Sequence, residues 1–145
     1  RWLSKGCPWE ECARVPLVVR DPRHAPLPRT EDALVSLVDL PATVADWAGV
    51  PMPDDRDGRS LLRTLDGTEA TPREEVLVES HIAPQLLWVA IRDARFKLVA
   101  WANGDLELYD LAADPHELES LARHPEQQDR IARMQARIMA TWPGW

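Results

Sequence analysis

Residues 91–110, IRDARFKLVAWANGDLELYD, decide the fold. Leu86 to Arg92 and Arg95 to Trp101 are β-branched and apolar runs broken by Asp93-Ala94, which reads as two strands and a tight turn. Asn103-Gly104 then separates Trp101 from Glu107 to Tyr109, and Asn-Gly between apolar segments is the strongest short hairpin signal. The stretch therefore predicts an antiparallel meander. Upstream, Val76 to Ser80 alternates weakly and reads as a further strand. Downstream, Pro125 to Trp142 reads as a helix whose Ile131, Met134, Ile138 and Trp142 form one apolar stripe, with most Arg and Gln off it. That stripe is expected to cover one face of the meander. Asp114-Pro115-His116-Glu117 carries the marks of another helix start: Asp as cap, Pro in the first turn, Glu at the third position.

The first half has a different character. Arg14 to Arg20 reads as a buried strand, with Arg14 paired to an acidic neighbour at its head, and the proline-rich 21–30 as a loop. Asp39 is expected to cap a helix with Pro41 in its first turn. Leu40, Val44, Trp47 and Ala48 would form its apolar face, and Gly49 would end it in the left-handed conformation. Residues 51–59 form a polar loop, 60–65 a short helix and 66–72 a linker. The boundary is therefore drawn at 72, with 1–72 as one part and 73–145 as a small α+β domain.

Composition excludes some functions. The chain has 145 residues and a net charge of -7, with no excess of cations to neutralise phosphates, so it is not expected to bind nucleic acid. No apolar run approaches the roughly 20 residues that span a bilayer. The opening residues lack Met and an apolar signal core, which reads as a truncated start. Cys7 and Cys12 match no common zinc spacing. A disulfide five residues apart is usually strained, so two free thiols are expected.

The segments, in order, resemble the C-terminal third of the sulfatase family within the alkaline phosphatase superfamily. Ser4-Lys5-Gly6-Cys7-Pro8-Trp9-Glu10-Glu11-Cys12-Ala13-Arg14-Val15-Pro16 is similar to the family's G-K-G-T-x-Y-E-x-G-x-R-V-P. Ser36-Leu37-Val38-Asp39-Leu40-Pro41-Ala42-Thr43 is similar to S-x-x-D-L-x-P-T. Ala48-Gly49-Val50-Pro51 and Asp57-Gly58-Arg59-Ser60-Leu61-Leu62 resemble A-G-V-P and D-G-x-S-L-L. Arg92 to Leu98, Glu107 to Leu111 and Asp114 to Glu117 resemble R-x-x-x-Y-K-L, E-L-Y-D-L and D-P-x-E. Cys7 stands where Thr is common, Cys12 where Gly is common, and Ser120 where Asn is usual. The fold this implies is the end of the large α/β sulfatase domain, then a small α+β C-terminal domain whose antiparallel sheet is packed by the last helix.

The resemblance also implies a chemistry. Sulfatases use a formylglycine made from Cys or Ser in C/S-x-P-x-R, beside a calcium ion or another divalent cation held by Asp and Asn. Neither motif occurs in this chain, so no catalytic nucleophile and no metal ligand is assigned, and the chain alone is expected to be inactive. The matching family lysine contacts the sulfate, which makes Lys5 the one expected substrate-binding residue, for a sulfate-ester small molecule or glycan. A phosphonate or phosphodiester hydrolase of the same superfamily shares these segments. From another class, a non-catalytic α+β module binding through its Trp-bearing sheet is the rival, which would have no need of Lys5 to Pro16.

Other residues read as structural. Asp54, Asp55 and Asp57 form a solvated turn, and the four histidines have no metal-ligand spacing. His81 is the histidine that could face a cleft. Trp9, Trp88 and Trp101 are the tryptophans to examine for substrate contact. A strand at 15–19 without upstream neighbours would expose apolar groups and unpaired backbone, leaving the N-terminal region free to associate with a second copy.

Overall fold

The computed structural model describes residues 6–23, 28–68, 72–80 and 87–141. Its elements are α1 (Glu10–Ala13), α2 (Asp39–Ala48), α3 (Leu62–Asp66), β1 (Glu75–Ser80), β2 (Trp88–Asp93), β3 (Phe96–Trp101), β4 (Leu106–Asp110) and α4 (Gln128–Thr141), the last entered through a short 3-10 turn at Pro125–Gln127. The described parts of 1–16 and 77–145 form one compact unit, and those of 17–76 form another.

In the first unit the four strands lie in sequence order, β1-β2-β3-β4. β3 pairs antiparallel with β2 and with β4, with Ala90 opposite Val99 and Leu98 opposite Leu108. The expected meander is present, and both turns follow from side-chain chemistry. Asp93 Oδ1 accepts the N–H groups of Arg95 and Phe96 at 2.7 and 2.6 Å, a local Asx turn that closes β2 onto β3. Gly104 has φ 89°, and the Trp101 N–H donates to Asp105 O at 2.9 Å, closing the Asn-Gly hairpin.

Strand alternation then sorts the side chains. Val89, Ile91, Phe96, Leu98, Ala100 and Leu108 face α4, whose Ile131, Met134 and Ile138 complete the core. The helix covers the sheet with the stripe that its 3.6-residue period predicts; Trp142 lies outside the described residues. Arg130 adds a cation–π contact 3.6 Å from the Phe96 ring centroid. Past β4, the Ser120 hydroxyl accepts the Leu108 N–H at 3.1 Å and the Leu121 N–H donates to Leu108 O at 2.7 Å. The free edge of β4 is thereby satisfied by its own chain.

In the second unit, α2 ends as expected at Gly49, in the left-handed conformation with φ 66°. Its start corrects the expectation. Asp39 is the first helical residue rather than a cap of its own helix, and it is fully buried. Its carboxylate accepts the backbone N–H groups of Ser36 and Arg59, at 2.8 and 3.0 Å, and pairs with Arg73 at 2.6 Å. The Thr43 hydroxyl, one turn on, donates to Asp39 O and accepts the Leu61 N–H. These bonds bury the Asp39, Ala42, Thr43 side of the helix, while Val44, expected on the apolar face, is 58% exposed. Gly58 lets this junction close: a Cβ there would fall 1.8 Å from Val38 O.

Three further expectations are corrected. Residues 14–20 form no strand. Val15 and Leu17 are exposed and Val18 is 91% exposed, because a strand needs a neighbouring ladder to satisfy its backbone and nothing within the described residues supplies one. Arg14 is exposed and makes no ion pair among the described residues. Asp114 to Glu117 starts no helix. Asp114 Oδ2 does accept the Leu118 and Glu119 N–H groups, but Glu117 takes φ 55° and breaks the helical path.

Two outcomes test these packings. Gly58→Ala forces backbone to move at Val38 and should destabilise the protein by about 1–3 kcal/mol, the usual cost of overpacking, measured by urea denaturation. At the β3–β4 edge, Arg95 grips Asp110 through Nε (3.1 Å to both oxygens) and Nη2 (2.6 Å). Those bonds, with the Ala113 and Ala112 N–H groups, hold the Asp110 carboxyl below its ordinary range against the opposing effect of burial. A lowered folded pKa means that the stabilisation is present above the unfolded aspartate value, about 3.9, and is lost as pH falls through the folded value. The stability gap between the protein and Asp110→Asn should therefore close on acidification in that window.

Candidate functional site

The second face of the sheet carries Trp88, Ala90, Lys97, Val99 and Tyr109, and the N-terminal segment covers it. Lys97 is the second residue of β3, with 1% of its side chain exposed. Arg92 is its direct cross-strand partner on β2. Two cations facing each other across a ladder repel, and burial makes each costly unless paired.

Two carboxylates resolve the conflict. Glu10, in α1, places Oε1 2.9 Å from Lys97 Nζ and 3.4 Å from Arg92 Nε. Glu117, whose side chain is fully buried, places Oε1 2.8 Å from Lys97 Nζ. Its Oε2 accepts the Glu10 backbone N–H, so the second carboxylate holds the first. The left-handed backbone at Glu117 is what turns this side chain inward. Two cations and two anions make a neutral cluster that ties together an N-terminal helix, the central hairpin and the loop after β4.

Other contacts set the segment's position. The Trp88 indole donates to Gly6 O at 3.0 Å, and the Trp9 indole donates to the Tyr109 hydroxyl at 3.4 Å. Tyr109 in turn donates to Glu107 at 2.8 Å. Burial is the main cause that pushes the Tyr109 hydroxyl above its ordinary pKa, so it stays protonated and able to donate. Gly6 has φ 123°, a backbone region that favours glycine. Cys7 and Cys12 are joined in a disulfide, correcting the expectation of free thiols. The α1 turn brings their Cα atoms to 5.7 Å, within the range that a disulfide spans.

The expected site residues can now be placed. Lys5 lies outside the described residues, immediately before the pinned Gly6, and His81 and His24 also lie outside them. Trp88 is buried, and Trp9 and Trp101 pack against the same cluster as core. His116 and His124 are exposed, beside Glu11 and Glu126. Asp54, Asp55 and Asp57 are exposed. Among the described residues no group of three His, Cys, Asp or Glu could hold a metal ion, so they do not fit a calcium site. No helix among them is long and apolar enough to cross a membrane. Sequence reasoning missed Glu10 and Glu117. The signal was Lys97 itself, a charge inside the apolar run 96–101.

Comparison with known proteins gives the family of the chain. The family described as N-sulphoglucosamine sulphohydrolase, C-terminal, matches residues 1–142. The chain belongs to the sulfatase family. It corresponds to the C-terminal portion of that fold in the alkaline phosphatase superfamily. A choline-sulfatase of Rhizobium meliloti is 40% identical over 122 residues, covering 81% of this chain and 23% of that protein. A solved structure in complex with its substrate D-glucosamine-2-N,6-O-disulfate is 28% identical with a TM-score of 0.64, over 71% of this chain and 23% of that one. The phosphonate monoester hydrolase of Agrobacterium radiobacter is 27% identical with a TM-score of 0.61, over 70% of this chain and 23% of that one. The chain spans about a quarter of the length of the curated relatives it matches.

The cluster's worth is measurable. Lys97→Met leaves Glu10 and Glu117 facing each other with Arg92 as the remaining cation. Removing one partner of a buried pair costs about 3–5 kcal/mol, and urea denaturation should show a loss of that size.

Proposed function

We propose that this chain acts within a longer sulfuric ester hydrolase that cleaves a sulfate monoester, with Lys5 binding the sulfate. Residues 1–72 would end the large α/β catalytic domain and 73–145 form the small α+β subdomain. The observation that carries this reading is the family match over residues 1–142. Leu17, Val18, Leu37, Val38, Val44 and Val50 are exposed apolar residues, which burial against more of the protein would cover.

In this reading the formylglycine and the divalent cation come from residues upstream of this chain. The metal, when bound, neutralises charge on the sulfate oxygens. The chain's own part is to hold and orient. The Glu10–Lys97–Glu117 cluster and the Trp88–Gly6 bond fix the segment that follows Lys5. As the ester S–O bond breaks, negative charge grows on the leaving oxygen, and the Lys5 ammonium stabilises it more in the transition state than in the ground state. The proposed substrate class is an organic sulfate monoester, small molecule or glycan; a structural relative bound to D-glucosamine-2-N,6-O-disulfate and a relative named choline-sulfatase support it. A phosphonate monoester hydrolase is the second reading, because one of that name shares the fold.

Turnover of an aryl sulfate and of an aryl phosphonate decides between them. The chain alone should turn over neither. The longer enzyme should favour the sulfate, and Lys5→Ala in it should lower kcat by on the order of 10²–10³ without loss of stability. Turnover by the chain alone, preference for the phosphonate, or unchanged kcat in the variant would each count against a part of the reading.

A further inference from the structure

The Gly6–Ala13 segment is held by two kinds of tether. One is the set of long-range contacts from Glu10, Trp9 and Gly6 to the sheet. The other is local: the Cys7–Cys12 disulfide closes a ring around Pro8, Trp9, Glu10 and Glu11. Within that ring the Cys12 N–H donates to Trp9 O at 2.9 Å, and just beyond it the Ala13 N–H donates to Trp9 O at 3.0 Å and the Arg14 N–H to Glu10 O at 2.9 Å. Helix α1 has four residues, far below the length at which a helix is stable alone. Its N-terminal flank offers no side-chain cap. The disulfide thus carries a turn that its own hydrogen bonds do not sustain.

The bond is also reachable. Cys7 is buried, but Cys12 is partly exposed, and both line an open groove of about 360 Å³ with Val78 and Trp88.

We propose that the Cys7–Cys12 disulfide is a redox-sensitive latch that fixes α1, and through it the position of Glu10 and of the chain entering at Gly6. Its opening is a thiol–disulfide exchange. A dithiol's thiolate attacks Cys12 Sγ, and the S–S bond breaks with Cys7 Sγ leaving as a thiolate. The reagent's second thiol then closes its own ring. The reagent is oxidised to a cyclic disulfide, and the two cysteines are reduced and take up its two protons. With the ring open, α1 frays while Glu117 keeps its ion pair to Lys97 and the two hydrophobic clusters of the sheet, neither of which includes a cysteine, keep their packing. The consequence for Lys5 rests on the sulfatase reading; the latch itself does not.

Hydrogen exchange on this chain, read at residues 12–14 and at β3 while dithiothreitol is titrated, tests the latch without any turnover assay. Before reduction, alkylation should find no free thiol. On reduction, exchange at 12–14 should rise by roughly tenfold or more while β3 stays protected, in step with the fraction of open disulfide, and should fall again on reoxidation. Cys7→Ser,Cys12→Ser should show the fast rate at 12–14 with no response to dithiothreitol. Free thiols in the untreated protein, unchanged exchange at 12–14 on reduction, or loss of β3 protection along with it would overturn the proposal. Failure of the sulfatase reading would show only in turnover and would leave these exchange rates as they are.

Discussion

A buried lysine opposite an arginine on the neighbouring strand is the constraint on which the first unit depends. Neither cation can be accommodated on that face without an anion. Glu10 and Glu117 satisfy the requirement from 87 residues upstream and 20 residues downstream of Lys97 in the chain, which forces the N-terminal segment and the post-β4 loop onto the same patch of sheet. The unusual backbone at Glu117 accompanies that requirement. Apolar burial alone would have allowed other covers for this face; the four charges admit few.

The second unit uses the same logic with a different anchor. Asp39 is buried, and the junction is built from backbone N–H groups plus one arginine rather than from a cluster of side-chain charges. Here specificity lies in the close approach at Gly58, where any side chain would meet Val38 O. In each unit a carboxylate at the start of a helix joins distant pieces of chain. Several positions that resemble the sulfatase pattern are such joining positions in this chain: Glu10, Asp39, Thr43, Gly58, Lys97 and Glu117.

Local physics made the sheet legible. The Asp93 turn, the Asn103-Gly104 hairpin, the alternation of β3 and the stripe on α4 each depend on residues a few positions apart, and each is found where the sequence puts it. What was not legible depended on distant partners. Asp114-Pro115-His116-Glu117 has helical signals, yet the ion pair to Lys97 pulls Glu117 out of the helical path. Residues 15–19 have strand composition but no partner among the described residues. Asp39 reads as a cap and is instead an acceptor for groups from other segments. The cysteine spacing suggested free thiols because spacing says nothing of a helical turn between them.

The burial of Lys97 has a practical side. The chain has two lysines, Lys5 and Lys97. With Lys97 enclosed by two carboxylates, its ε-amine is withheld from acylating reagents, acetyl donors and ubiquitin transfer alike. Of the two side-chain amines, Lys97 is therefore the one that folding closes to covalent chemistry. An amine-directed probe that does reach Lys97 therefore reports that the cluster around it has opened.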